Sequence, residues 1–343
     1  MTSIRTSRSG HLGRVTLDRP EALNALNSEM VADITAALQD FAADDAVRTV
    51  LVDGAGERAF CAGGDVVMLH DSGKANGGRG DGRAEAFWRT EYALNDLIRR
   101  YPKPYVALID GIVMGGGVGL SVHGRYRVAG DTTLFAMPET GIGYFPDVGG
   151  TFFLPRLGTD IGNWLALTGA RLGPGGCVRA GIATHFVPTE RHGALIEALG
   201  EGEAEAVLAE FAAEPPSEEP IPEAVRAFSG STVAEILDAL DADGSEWAAK
   251  QAKTLRRKSP LALDATLRAL REGAGMDFRD AMARELDLSL AFLTTQDFYE
   301  GIRAQLIDKD RNPGWSAAHG DDLEAQLERM WAIRAKPGLE FLG

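Results

Sequence analysis

Residues 101–158 read YPKPYVALIDGIVMGGGVGLSVHGRYRVAGDTTLFAMPETGIGYFPDVGGTFFLPRLG. The apolar run from Tyr105 to Ile109 has the pattern of a buried strand. Three consecutive glycines follow, Gly115, Gly116 and Gly117, and a helix is expected from Val118. Glycines after a strand turn the backbone tightly and leave its N–H groups unshielded, because no Cβ stands beside them. At the positive end of a helix such donors favour developing negative charge. The segment therefore reads as an oxyanion hole, set against the plainer reading of a tight strand-to-helix turn without a ligand. Two acids lie downstream among Gly and Pro: Glu139 after Pro138, and Asp147 after Pro146. Phe135 to Phe145 is otherwise apolar apart from Thr140, which puts the Glu139 carboxylate in a pocket or a pair. Asp147 reads equally well as a turn or N-cap residue.

Two other chemistries drop out. Gly115, Gly116, Gly117 and Gly119 have the wrong spacing for GxGxxG, so no dinucleotide fingerprint is present. Ser121 and His123 sit in GLSVH, which lacks the last glycine of a GxSxG elbow, and helical neighbours two apart point in different directions.

A second stretch belongs beside the first. AFCAGGD, Ala59 to Asp65, follows the apolar run TVLVD, Thr49 to Asp53. Here too small residues after a strand expose backbone donors and allow close approach of a ligand. With both stretches in place the chain resembles the crotonase (enoyl-CoA hydratase/isomerase) superfamily. That resemblance implies an α/β chain with the ClpP/crotonase-like fold, ββα superhelical repeats and a C-terminal helical subdomain. It also implies an oxyanion hole built from the N–H groups of Gly64 and Gly116.

Members that hydrate a double bond carry GGGxE and a later PE pair, and use the two glutamates. Here the first of those positions is Gly119, which has no side chain, while the second is present as Glu139. MGGGVGLSVHG followed by FAMPETGIGYFPDVGGTFFLPRLG resembles instead the 3-hydroxyisobutyryl-CoA hydrolase branch, which cleaves a thioester. The resemblance implies Glu139 as nucleophile or base, Asp147 eight residues later as its partner, and Glu91 in WRTEYALN as a substrate-binding acid. Gly116, Glu139 and Asp147 would share that binding role. On residues alone Glu91 is a solvated or ion-paired helical glutamate. The expected reaction is hydrolysis of a short 3-hydroxyacyl-CoA, 3-hydroxyisobutyryl-CoA above all, in valine catabolism. Hydration or isomerisation of an enoyl-CoA is the alternative, and a non-catalytic binding protein of this family the remote one. In the superfamily RPEALNAL lies against the adenine end of coenzyme A, so Ala22, Leu23, Ala62 and Gly64 are carried over as its binding candidates; a loop that merely caps a helix explains any one of them equally well. Coenzyme A is then part of the substrate, and no separate cofactor is expected.

The chain has 343 residues, of which 35 are basic and 50 acidic, for a net charge of −15. Such a charge disfavours nucleic acid and anionic membranes as partners, and no apolar run is long enough to span a bilayer. It sits awkwardly with a phosphate-bearing substrate, so basic residues near the mouth, such as Arg19, Arg58, Lys74 or Lys103, are expected to supply charge locally. Two cysteines, Cys61 and Cys177, make no disulfide framework, which points to a reducing cytoplasm. The scattered histidines lack metal-ligand spacing, and no metal is expected. The first 14 residues hold three Arg, several Ser and no acid, as transit peptides do, but are short for one.

Along the chain, 13–17 reads as a strand. Met30, Ile34, Ala37, Leu38 and Phe41 mark an amphipathic helix over about 28–43, capped by Asn27 or Ser28, and another strand covers 48–53. Residues 71–83 hold five glycines and read as a flexible surface loop, either passive or a lid over an acyl pocket. A helix over about 84–100 carries Glu91. Residues 201–223, with eight Glu and four Pro, read as a linker or an exposed helix plus loop. Beyond it the pattern is helical, with Met282, Leu286, Leu290 and Leu293 on one face. The expected organisation is a crotonase-like core over 1–200, an acidic linker over 201–224 and a helical subdomain over 225–343. A homo-oligomer is left open.

Overall fold

The computed structural model describes residues 3–218, 220–316 and 321–342. Residues 1–2, 219, 317–320 and 343, which the expected segments include, lie outside it. Among the described residues nine strands form two sheets. β1 (Ile4–Ser9), β2 (Leu12–Leu17), β3 (Thr49–Gly54), β5 (Tyr105–Leu108), β7 (Tyr126–Ala129) and β9 (His185–Phe186) lie in that order in the larger sheet. All its pairings are parallel except β1 with β2. β4 (Ala59–Cys61), β6 (Ile112–Met114) and β8 (Leu134–Ala136) make a smaller parallel sheet.

The two sheets are one repeating device. Each large-sheet strand β3, β5 and β7 turns directly into a small-sheet strand, β4, β6 and β8, and the chain then crosses back through helical segments. Gly111 makes one of these corners at φ +81°, and a Cβ there would stand 2.8 Å from the Ala59 nitrogen. The repetition has a consequence for function. The three parallel small-sheet strands end at the same level, so the segments that follow them, Ala62–Asp65, Gly115–Gly116 and Met137–Glu139, converge.

Strand periodicity explains the two cores. Val50 and Val52 face the main core, while Leu51 faces a smaller cluster with Leu12, Val106, Val128 and residues of the helices His192–Leu199 and Ala204–Phe211. The larger sheet is thus covered on both faces. Asn27 caps the helix Ser28–Ala43 by accepting from the Met30 amide.

Two readings change, and two further stretches are placed. Residues 4–9, within the stretch compared with a transit peptide, form β1, paired residue for residue with β2. Residues 71–78 continue a helix, Val66–Gly78, rather than a loop. Asp65 caps that helix by accepting from Met68, and Leu69, His70, Ser72 and Gly73 are buried, so packing overrides the glycine content; the helical backbone fails only at Ala75–Gly77. On the helix Phe278–Phe292 the buried face is centred elsewhere than the leucine period suggests: Glu285 and Ser289 are fully buried, whereas Leu290 is half-buried. The acidic stretch contains the helix Ala204–Phe211, then runs without regular structure over residues 212–218 and 220–222.

Candidate active site

The oxyanion candidates come first, because the backbone alone makes them. The Leu26 amide donates to the Gly63 carbonyl and the Asp65 amide to the Leu26 carbonyl, which pins the AFCAGGD segment to the RPEALNAL loop. Gly64 is left between these bonds, and its N–H donates to no other group among the described residues. Gly116 opens the helix Gly116–Ser121, so its N–H has no helical partner and likewise stays free. Gly115, at φ +48° and ψ −122°, makes the turn that presents it. Both glycines line one cavity of about 780 Å³.

Three buried acids line the same cavity. Glu139 follows β8 and Asp147 the next turn, while Glu91 projects from the helix Arg83–Arg99. They are 7%, 7% and 3% exposed, so none is the solvated glutamate or surface turn that the residues alone would allow. A Cβ on Gly116 would lie 2.6 Å from Glu91 Oε1, and one on Gly115 would lie 3.3 Å from Glu139 Oε1; the acids thus close on the glycine turn. Glu91 Oε1 and Glu139 Oε2 have no hydrogen-bond partner among the described residues.

Burial and mutual repulsion set the charges. Burial, then the Asp147 charge, pushes Glu91 well above the usual carboxylate range. Burial also raises Asp147, to about 6, but the Tyr92 and Tyr144 hydroxyls pull it back. Tyr92 donates to Asp147 Oδ2 at 2.7 Å and Tyr144 lies 3.3 Å from the same oxygen. The pocket therefore pairs two acids that burial makes reluctant to ionise, with the tyrosine hydroxyls favouring the charge on Asp147 and the Asp147 charge disfavouring one on Glu91. Glu139 is lifted by burial first and by Asp147 second, and is drawn down by the Lys258 ammonium. Lys258 is itself lowered to about 8 by burial and donates to Thr140 Oγ1 at 2.8 Å.

The signs lead to a testable pair of pH dependences. If these carboxylates act as bases or nucleophiles, kcat/KM should fall on acidification with a limb at pH 6 or above, well over an ordinary carboxylate. Stability runs the other way. Asp147 binds a proton more tightly folded (about 6) than unfolded (3.8), so its contribution worsens as pH rises from about 4 to 6 and stays unfavourable above. Holding it ionised costs roughly 3 kcal/mol. Asp147→Asn should raise Tm at pH 7.5 and by much less at pH 4.5, read by calorimetry; a lowered Tm at pH 7.5 would refute this assignment of charge.

The sequence-derived candidates separate cleanly. Gly64, Gly116, Glu91, Glu139, Asp147 and Ala62 line the cavity. Leu23 instead lines a neighbouring cleft with Pro20, Asn24 and Arg58, and Ala22 ends the turn Pro20–Ala22 without lining either. Of the basic residues expected at the mouth, Lys103 is spent on the carbonyls of Phe41 and Asp44 at a helix end, and Arg19 donates to Ala25 O. The cavity draws its positive charge from Lys258, Arg171 and Arg311 instead. Nothing in their local sequence marks them, since each arrives from a distant segment. Ser121 donates back to Gly117 O, while His123 Nε2 lies 2.7 Å from Val148 O and burial lowers it to about 4, so the two form no dyad.

Comparison with known proteins agrees with this architecture. A family model described as enoyl-CoA hydratase/isomerase matches residues 12–330. The chain belongs to the enoyl-CoA hydratase/isomerase family. Its fold is the crotonase fold: a solved structure described as a carnitinyl-CoA dehydratase from Mycobacterium thermoresistibile superposes with TM-score 0.92 at 41% identity, covering 100% of both chains. An enoyl-CoA hydratase from Rhodobacter sphaeroides gives TM-score 0.84 at 41% identity, covering 99% of this chain and 100% of its own. Among sequence relatives of this family member, the mitochondrial 3-hydroxyisobutyryl-CoA hydrolase of Danio rerio is 47% identical, over 92% of this chain and 85% of the relative. That of Homo sapiens is 44% identical, over 98% and 90%.

Gly119 separates this family member from a two-glutamate arrangement. A Cβ there would lie 2.8 Å from both Asn95 Nδ2 and Val148 Cβ, so the space where a second acid would start is filled by packed side chains. Gly119→Glu should therefore destabilise the fold by several degrees in Tm and confer no hydration of crotonyl-CoA; gained hydratase activity would show the site to be more plastic.

Proposed function

We propose that this chain hydrolyses the thioester of a short 3-hydroxyacyl-CoA, with 3-hydroxyisobutyryl-CoA as substrate, releasing 3-hydroxyisobutyrate and coenzyme A. The observation that carries the reading is a buried carboxylate, Glu139, with an unpartnered oxygen in the cavity that two free backbone donors line, and with position 119 closed to an acid. The names of relatives 43–47% identical support the same choice.

The thioester oxygen accepts from the Gly64 and Gly116 amides, which stabilise the charge that develops there. Glu139 then acts in one of two ways. As nucleophile its carboxylate oxygen bonds to the thioester carbon, the C–S bond breaks, and water hydrolyses the resulting mixed anhydride. As base it takes a proton from a water that attacks the same carbon. In both, the departing sulfur takes a proton from the acid cluster, and Glu91 and Asp147 orient the substrate hydroxyl. A single turnover in ¹⁸O-labelled water distinguishes them, since label in Glu139 rules out direct water attack. Lys258, Arg171 and Arg311 supply the positive charge that a phosphate-bearing substrate needs at this cavity.

One observation favours a second reading. The two full-length structural neighbours carry dehydratase and hydratase names at 41% identity. An assay that follows thiol release from 3-hydroxyisobutyryl-CoA alongside loss of enoyl absorbance from crotonyl-CoA decides between them: hydration without thiol release would replace the hydrolase reading.

As to surroundings, no helix among the described residues is long and apolar enough to cross a membrane. The cytoplasmic expectation gains no support from relatives whose names read mitochondrial. Its basis was weak, because Cys61 and Cys177 are buried thiols pushed up to about 12 by burial. Such residues serve packing in any compartment.

A further inference from the structure

Asp147 sits in a turn that its own sequence does not stabilise. Val148 adopts φ +52°, a conformation costly for a β-branched residue, and Gly149 follows at φ +84°. Such backbone persists only where surrounding contacts over-determine it, and here the contacts come from as far as 136 residues away.

Glu285, fully buried on the helix Phe278–Phe292, spreads both carboxylate oxygens along the turn. Oε2 accepts from the Gly149 amide at 2.7 Å, and Oε1 accepts from the Thr151 amide at 2.9 Å and the Thr151 hydroxyl at 2.5 Å. On the other side, His123 Nε2 donates to the Val148 carbonyl at 2.7 Å. One helical turn beyond Glu285, Ser289 Oγ lies 2.8 Å from the Tyr92 hydroxyl and 2.6 Å from that of Tyr144, the two groups that reach Asp147 Oδ2. It also lies 2.8 Å from the Glu285 carbonyl, to which it can donate.

We propose that Glu285 and Ser289 are positioning residues of the reaction: Glu285 holds the backbone of the Asp147 turn, and Ser289 holds the two tyrosine hydroxyls against the Asp147 carboxylate. The helix Phe278–Phe292 thereby sets both the place and the proton affinity of Asp147 without lining the substrate cavity. The proposal rests on Asp147 taking part in the reaction described above.

Ser289 has the sharper test. The charged and titratable groups facing Asp147 are Glu91 and Tyr92 from the helix Arg83–Arg99, Glu139 and Tyr144 from its own segment, and Glu285 behind it. Ser289→Ala changes none of these groups but releases the tyrosine hydroxyls, so the carboxylate loses donors to its ionised form. The acid limb of kcat/KM should move up by about one pH unit. Glu285→Gln keeps the volume but turns an NH₂ group toward backbone N–H donors, displacing the turn. It should lower kcat on the order of 100-fold with KM changed far less.

Native enzyme, Ser289→Ala, Glu285→Gln and Asp147→Asn would be assayed together for thiol release from pH 5 to 9, with Tm measured for each. A moved limb in Ser289→Ala and a kcat loss in Glu285→Gln, with inactive Asp147→Asn, bear the proposal out. Lower Tm alone, with limb and kcat native while Asp147→Asn is inactive, overturns it and leaves the role of Asp147 standing. Native activity in Asp147→Asn overturns the underlying reading instead. Ser289→Ala removes one buried oxygen, so it remains informative should Glu285→Gln fail to fold.

Discussion

Replacing Glu139 by Gln should lower thiol release from 3-hydroxyisobutyryl-CoA by about 100- to 10,000-fold, the span that a positioned proton-transfer group contributes. The structure makes this a clean experiment. Glu139 Oε2 bonds to nothing among the described residues, and Lys258 Nζ keeps its own bond to Thr140, so the substitution removes the charge that Lys258 feels and breaks no side-chain hydrogen bond among the described residues. It also removes the burden of ionising a buried carboxylate, so Tm at neutral pH should be equal to or above that of the native protein. A folded Glu139→Gln variant that releases thiol at a native rate would remove Glu139 from the mechanism.

Gly116→Ala should cost on the order of 100- to 1,000-fold in kcat, the loss typical of removing an oxyanion donor. Gly116 does not lie at positive φ, so an alanine backbone is allowed there. Its Cβ, however, would stand 2.6 Å from Glu91 Oε1 and 3.0 Å from Leu26 Cδ1. The methyl group therefore shields the amide and drives Glu91 away while the turn survives. The expected pattern is a folded protein, read by an unchanged circular dichroism spectrum, with substrate binding weakened less than turnover. A native kcat in Gly116→Ala would mean that the thioester oxygen sits elsewhere.

Much of the site was legible because its backbone parts are local. A strand followed by glycine needs no distant contact to expose an N–H, so AFCAGGD and MGGGVG could be read as sources of free donors, and the family resemblance singled out Gly64 and Gly116 within them. Glu139 was legible as a charge in an apolar run. Other features misled. The five glycines of 71–83 suggested a loop, yet Asp65 caps a helix there and Leu69 and Gly73 are buried beneath the C-terminal segment. Gly73 packs so close to Tyr299 that a side chain would collide with it, which is a reason for glycine other than flexibility. Lys103 was expected to lend positive charge near the mouth and instead caps a helix end.

What the sequence determined by itself was therefore the local chemistry: alternating and apolar runs for the strands, glycine turns for the free donors, and an acid placed where water would be scarce. The tertiary structure alone decided the company each acid keeps. Whether a carboxylate is neutral, ionised or aimed depends on groups within a few ångströms, whatever their sequence distance, because burial and Coulomb interactions act through space. Glu91 and Asp147 influence each other across 56 residues, Lys258 reaches Glu139 across 119, and Glu285 holds the Asp147 turn across 136. Those meetings exist only once three ββα turns have brought their strand ends to one level and the C-terminal helices have closed over them.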